Sequence, residues 1–227
     1  MDQVFVGQID AFGPRGEPSA IRKSPVAGAV QVTTLGLAGD EQADQRVHGG
    51  AEKAIHHFPA EHYDALQRLC PELRLQVGQV GENLSSQGLT EKDLCLGDVF
   101  SLGDSVVQVS QGRQPCWKLN VRFQRPDMAR IIQQHGVTGW YYRVIREGEV
   151  YSGAALQLIE RPYPAAGLDA IQHVLHRDPM NLEAIRQLLD IPVLPASWRK
   201  TFEKRLATGL KESDTRRLST PGQHTES

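Results

Sequence analysis

Val106-Val107-Gln108-Val109-Ser110-Gln111-Gly112-Arg113-Gln114-Pro115-Cys116-Trp117-Lys118-Leu119-Asn120 begins as a β-strand and ends as a loop. Val106, Val107 and Val109 are β-branched, and Gln108 and Ser110 intervene, which suits a pleated and half-buried surface. Gly112 and Pro115 close the strand, because proline donates no ladder hydrogen bond. A turn carrying Arg113 follows, and then Cys116 directly behind a proline. From Ser105 to Pro126 there is no Asp or Glu, whereas Arg113, Lys118, Arg122 and Arg125 are all cationic. A cysteine in such a field is favoured as thiolate, the form that acts as nucleophile and metal ligand. The same field attracts an anion such as phosphate. The alternative reading makes Cys116 a small buried hydrophobe, as most free cysteines are.

Outward from this stretch, 19 of the 21 glycines precede Leu168, together with most of the short β-type runs. Short strands joined by tight glycine turns point to a β-barrel or sandwich. Val4 to Ile9 reads as the first strand, Gly13 to Pro18 as a loop, and Val26 to Leu35 as further strand. Lys53 to Phe58 reads as a strand and Pro59 as the opening of a helix. On that helix Tyr63, Leu66, Leu69 and Cys70 share one face, and Pro71 ends it. Cys70 and Cys95 are therefore expected in the core. Asp127 is expected to cap a helix that buries Met128, Ile131 and Ile132 and stops at Gly136. Gly139 to Ile145 returns as a strand. Beyond Pro162 the pattern becomes helical: Leu168, Ile171, Val174 and Leu175; then Leu182, Ile185, Leu188 and Leu189 behind an Asn181 cap; then Trp198, Phe202 and Leu206. Residues 1–162 are thus expected to form a mainly β domain with a few short helices, and 163–210 a small three-helix domain. Residues 211–227 are polar and expected to fray.

With 227 residues and a net charge of −2, the chain can bury a full core but has no basic excess for nucleic acid. No apolar run reaches the ~20 residues of a membrane span. Met1 to Val4 lacks a signal peptide's cationic start, and three widely spaced cysteines suggest neither a disulfide framework nor a zinc site. A reducing cytoplasm is the expected compartment. Asp40, Asp44 and His48 recur every four residues, so on a helix they would share a face able to bind a divalent metal. Gly39 and Gly49-Gly50 favour instead an ordered loop in which Asp40 satisfies backbone donors. His56 and His57, in a strand, must point to opposite faces, one of them into the core.

Taken together, Gly36-Leu37-Ala38-Gly39-Asp40, His48-Gly49-Gly50, Gly81-Glu82-Asn83-Leu84, Gly97-Asp98, Val109 to Cys116 and Gly139-Trp140-Tyr141 resemble a MOSC domain. Pro18 to Ile21, the His57/Pro59/His62-Tyr63 segment and the appended helices resemble the stand-alone bacterial YiiM-type branch. The resemblance extends to about Ala207. It implies a MOSC-type β-barrel with a cleft for the molybdenum cofactor, a pterin dithiolene bearing a phosphate. The family's Ser-x-x-Arg-x-Pro-Cys pattern falls on Ser110, Arg113, Pro115 and Cys116, which makes Cys116 the implied molybdenum ligand and catalytic thiol. Gly112 stands where close members carry proline. Arg113 is the first candidate for the cofactor's phosphate, with Arg15 and Lys118 behind it; Ser110 is a further cofactor-binding candidate, and Asn83, Asp40 and His48 are candidates to shape the cleft. The branch is associated with reduction of N-hydroxylated bases such as 6-N-hydroxylaminopurine, and pyridoxal phosphate binding is a further family-level association. With no flavin or iron–sulfur motif in the sequence, an external electron-donor protein is implied. The three helices could dock that donor, pair two protomers or cover the cleft. A different class of function, a carrier of cofactor or sulfur without turnover, fits the same thiol.

Overall fold

The computed structural model describes residues 1–45 and 49–222. In chain order the strands are β1 (Gln3–Val6), β2 (Asp10–Ala11), β3 (Pro18–Ser19), β4 (Ser24–Pro25), β5 (Val30–Thr33), β6 (Gly36–Leu37), β7 (Ile55–His57), β8 (Leu84–Ser85), β9 (Val99–Leu102), β10 (Ser105–Gly112), β11 (Trp140–Arg146), β12 (Gly148–Val150) and β13 (Leu156–Glu160). Interleaved with these and following them are α1 (Glu61–Leu69), α2 (Lys118–Arg122), α3 (Met128–His135), α4 (Leu168–His176), α5 (Leu182–Leu189), α6 (Ala196–Thr208) and α7 (Thr215–Leu218). A curled eight-stranded sheet in the order β13-β9-β10-β11-β7-β8-β1-β4 forms the barrel wall. A three-stranded sheet, β12-β5-β6, completes the β portion with the β2-β3 hairpin.

The longest strand, β10, lies between β9 and β11, as its valines require: Val107 and Val109 are buried. Val109 pairs with Tyr142 and Gln111 with Tyr141, so Ser110 is an extra residue, a bulge in the strand. The bulge lies just before the cysteine loop and re-aims it. At the far end of β11, Gly139 sits at φ +72°, and a Cβ there would lie 2.3 Å from the His57 carbonyl oxygen. Only glycine lets β11 approach β7 so closely.

The three C-terminal helices share the barrel's core. Leu168, Ile171, Val174 and Leu175 of α4 join Leu94, Leu96, Val107 and Val109 in one apolar cluster. The expected caps divide. Asn181 accepts from Ala184 N at 3.1 Å, and Gly136 ends α3 in the left-handed conformation. Asp127, however, makes no capping bond; its carboxylate accepts instead from Arg125 Nε at 2.8 Å. The first strand is also shorter than Val4 to Ile9, ending at Val6 because Gly7 turns to meet Asp40.

The polarity of residues 211 onward suggested a frayed end, but through Gly222 the chain folds back across the barrel. Leu218 is buried in a second apolar cluster with Leu119, Met128 and Ile132, and Asn120 Nδ2 donates to its carbonyl at 2.8 Å. One leucine and a row of backbone partners thus anchor a segment whose composition resembles a tail. Among the described residues no helix is long and apolar enough to cross a membrane.

Buried His57 and half-buried His176, whose Nε2 is shut away from solvent, add to the fold's acid sensitivity. His57 lies between Tyr142 Oη (3.2 Å) and Ser86 Oγ (2.9 Å), and burial pushes its pKa down to about 3. His176, at the end of α4, is pushed to about 3 by burial and then by Arg217. Below pH 6.5 the unfolded chain binds protons at these sites while the folded chain does not. Stability should therefore fall with pH, by about 1.4 kcal/mol per pH unit for each histidine. Denaturant titrations at pH 7 and pH 5 are expected to show an acid loss of roughly 2 kcal/mol for each histidine, and replacing His176 by glutamine should remove its share. A midpoint independent of pH would mean that neither ring is held neutral.

Candidate functional site

The site is built where β10 gives way to α2. After the bulge, Arg113 N still donates to Gly139 O at 3.0 Å, which keeps the chain on β11. Pro115 then breaks the ladder, and Cys116 closes a turn in which its carbonyl accepts from Leu119 N at 3.0 Å. The cysteines separate by surroundings. Cys70 is fully buried in an apolar cluster, and Cys95 is buried with Sγ donating to the Pro164 carbonyl at 3.5 Å. Both are core residues, as their spacing suggested. Cys116 is 8 % exposed and borders two cavities.

The inner cavity, of about 90 Å³, lies between the sheet and the loops that carry Lys23, Asp40 and Asn83. Asp40 accepts from Gly7 N (2.8 Å), from Asn83 Nδ2 (2.8 Å) and from Lys23 Nζ, so one carboxylate ties three chain segments together. Burial lowers the Lys23 amine's pKa, and Asp40 opposes that. Asn83 Oδ1 in turn accepts from His56 N at 3.0 Å. Residues 40–44 form no helix, and Asp40 acts as the structural reading expected, satisfying donors rather than waiting for a metal. Asp44 lines the outer cavity instead. His48 lies outside the described residues.

Arg113 and His56 carry the chemistry of the inner cavity. The Arg113 side chain is buried, Nη2 donates to Val80 O at 3.0 Å, and Nη1 has no partner. His56 packs against Tyr141 with the rings tilted at 41° and their centroids 5.2 Å apart, and its Nε2 is likewise buried without a partner. Burial, and then the charge of Arg113, hold its imidazole well below its usual pKa, so the ring is neutral near pH 7. Two buried polar atoms in one small cavity therefore lack the partners that such groups nearly always have. An anion would supply the partner that the guanidinium lacks, whereas His56 Nε2, whose ring-mate Nδ1 faces the Gly81 carbonyl oxygen at 3.4 Å, is the acceptor of the neutral ring and calls for a donor. Behind Arg113, Glu82 is buried and accepts from Tyr63 Oη (2.6 Å), Gly78 N (2.6 Å) and Val80 N (3.1 Å). This carboxylate fixes the turn whose Val80 carbonyl holds Arg113.

The outer cavity, of about 610 Å³, shares Lys53, Cys116 and Tyr141 with the inner one. Trp117, Gln111, Gln114 and Arg216 complete its walls. Cys116 thus stands at the junction of a phosphate-sized hollow and a chamber within the size range of ligand sites. Burial lowers the pKa of both Lys53 and Lys118, while a thiolate at Cys116 opposes this for each amine. Lys118 Nζ donates to Pro18 O at 2.7 Å.

Of the residues expected in a cofactor cleft, Cys116, Arg113, Lys118, Asn83 and Asp40 meet at the inner cavity. Two do not join them. Arg15 is in the β2-β3 hairpin with its side chain 71 % exposed and paired to Glu17 at 3.3 Å. Ser110 is buried beneath the loop, with Oγ 2.5 Å from Glu52 O and 3.0 Å from Tyr141 O, where it satisfies the backbone around the bulge. Lys23, Lys53, His56 and Tyr141 were not anticipated in the site. Tyr141 and His56 are cross-strand neighbours on one face of β11 and β7, a register that one sequence does not give. Among the described residues no group of three His, Cys, Asp or Glu could hold a metal by itself.

Residues 44–157 match the MOSC domain model, and residues 168–209 match the YiiM-like, 3-alpha helix domain. Protein YiiM of Escherichia coli (strain K12) is 42% identical over 217 residues, covering 95% of this chain and 96% of that one. The crystal structure of YiiM from Geobacillus stearothermophilus superposes with a TM-score of 0.75 at 38% identity, over 90% of this chain and 97% of that chain. A protein named reductase from Gibberella moniliformis is 36% identical over 84% of this chain, which spans 35% of the fungal protein.

Proposed function

The chain belongs to the MOSC-domain family, as a YiiM-type member with the three-helix extension, and on that premise we propose that it is a molybdenum-cofactor-dependent reductase of N-hydroxylated compounds such as 6-N-hydroxylaminopurine. The observation that carries this reading is the buried, partnerless guanidinium nitrogen Arg113 Nη1 in a cavity that adjoins Cys116.

The residues present fit the cofactor. Its phosphate would take the inner cavity, where Arg113 offers a donor, Lys118 adds charge and the neutral His56 ring can accept from a protonated phosphate oxygen. Cys116 would give the metal a soft thiolate, which suits molybdenum already held by dithiolene sulfurs. When bound, the cofactor supplies a two-electron reduction of the N–OH group to amine and water. The protein does the rest. Lys53 and Lys118 place positive charge beside the sulfur. Trp117 and Tyr141 in the outer chamber offer flat faces to a planar base, and the amides of Gln111 and Gln114 offer hydrogen bonds to its edge. The two electrons come from an external donor protein, and two protons from solvent through the open chamber.

Protein made in a molybdopterin-competent host tests the reading directly. Near-stoichiometric molybdenum and reduction of 6-N-hydroxylaminopurine with an artificial electron donor are expected. Bound cofactor without turnover would instead identify a carrier, and absence of molybdenum from such preparations would end the proposal.

A further inference from the structure

We propose that Arg217 is a positioning residue for Cys116, which makes the C-terminal segment part of the site. Arg217 Nη1 donates to the Pro115 carbonyl at 2.6 Å, and Trp117 N donates to the Arg217 carbonyl at 2.7 Å. One residue therefore grips the chain on both sides of the cysteine. Each peptide unit is planar, so φ and ψ of Cys116 are the rotations that turn the preceding and following peptides. The two bonds hold those two peptides. With both rotations restrained, the direction of Cα–Cβ is set, and Sγ keeps only its χ1 choice.

Arg217 is itself braced. Nη2 donates to Gln133 Oε1 of α3 at 2.6 Å and to Asp214 Oδ1 at 2.5 Å. Leu218, in the apolar cluster beside α2 and α3, keeps the segment seated. Ser213, Arg216 and Arg217 also form the outer chamber's wall beyond the sulfur. A segment that only covered the barrel would need Leu218; it would not need a guanidinium shared between the cysteine loop and α3.

The inference rests on Cys116 being the working sulfur, but its test needs no cofactor. Full-length, cofactor-free protein and the Arg217→Ala and Arg217→Lys variants are alkylated with iodoacetamide, and the rate at each cysteine is read from its peptide by mass spectrometry. The buried Cys70 and Cys95 serve as internal controls. In Arg217→Ala the Cys116 rate should rise at least about fivefold, because a thiol held in a wall is freed to turn outward, while Cys70 and Cys95 keep their rates. Arg217→Lys, able to reach one acceptor at a time, should fall between. A Cys116 rate within about twofold of wild type, or an equal rise at all three cysteines, would overturn the positioning role. Molybdenum-free wild type with a selective Cys116 response would sink the cofactor reading and leave this one standing.

Discussion

Cys116→Ser protein is expected to fold normally and to lose molybdenum-dependent reductase activity by more than about 100-fold, since removing a partner one shell further from a metal already costs roughly 10–100-fold. The fold should survive because Cys116 lies at a cavity margin rather than in an apolar cluster, and a serine hydroxyl there can meet water. The function should not survive, because a serine hydroxyl is a harder and far more weakly acidic ligand than a thiol. Thermal melting within a few degrees of wild type, with reductase activity lost, is the expected pair of results. Activity retained in Cys116→Ser would remove the ligand role and, with it, the reason to place the reaction at this junction.

The second large effect is expected at Arg113. Its Nη1 is the partnerless donor, and charge-assisted hydrogen bonds contribute about 1.5–3 kcal/mol, so Arg113→Ala should weaken cofactor retention about 10- to 100-fold. The same change strips Val80 O of a donor and removes a cation near the buried Glu82 carboxylate, so some stability is lost as well. Arg113→Lys separates the two. It restores a positive charge but cannot serve Val80 O and a phosphate in one plane. Retention measured by molybdenum content after dialysis should rank wild type, then lysine, then alanine. Equal retention in all three would mean that the phosphate is held elsewhere.

Much of the site's skeleton was legible before any coordinates. The strand in Val106 to Gln111, its end at Pro115 and the absence of acidic residues from Ser105 to Pro126 together marked Cys116 and Arg113, because each signal is local. The helices after Leu168 were legible for the same reason, their apolar residues repeating at helical spacing. The inner cavity's other half was not. Lys23, His56 and Tyr141 reach it from three distant segments: the pairing of β11 with β7 brings Tyr141 to His56, and Asp40 holds Lys23. Ser110 looked like a ligand because it opens the motif, but the bulge turns its hydroxyl onto backbone carbonyls. Arg15 was chosen for its charge, and charge does not say where a hairpin points. Arg217 was hidden by composition. A polar, arginine-containing terminus looks like a tail unless Leu218 is seen to find a pocket.

The central claim, that the Cys116 sulfur completes the coordination of a molybdenum carried by its own dithiolene, is tested most directly by X-ray absorption at the molybdenum edge on loaded wild-type and Cys116→Ser protein. The account predicts that the sulfur shell around molybdenum is smaller by one in the serine variant. An identical sulfur shell in the two proteins would contradict it.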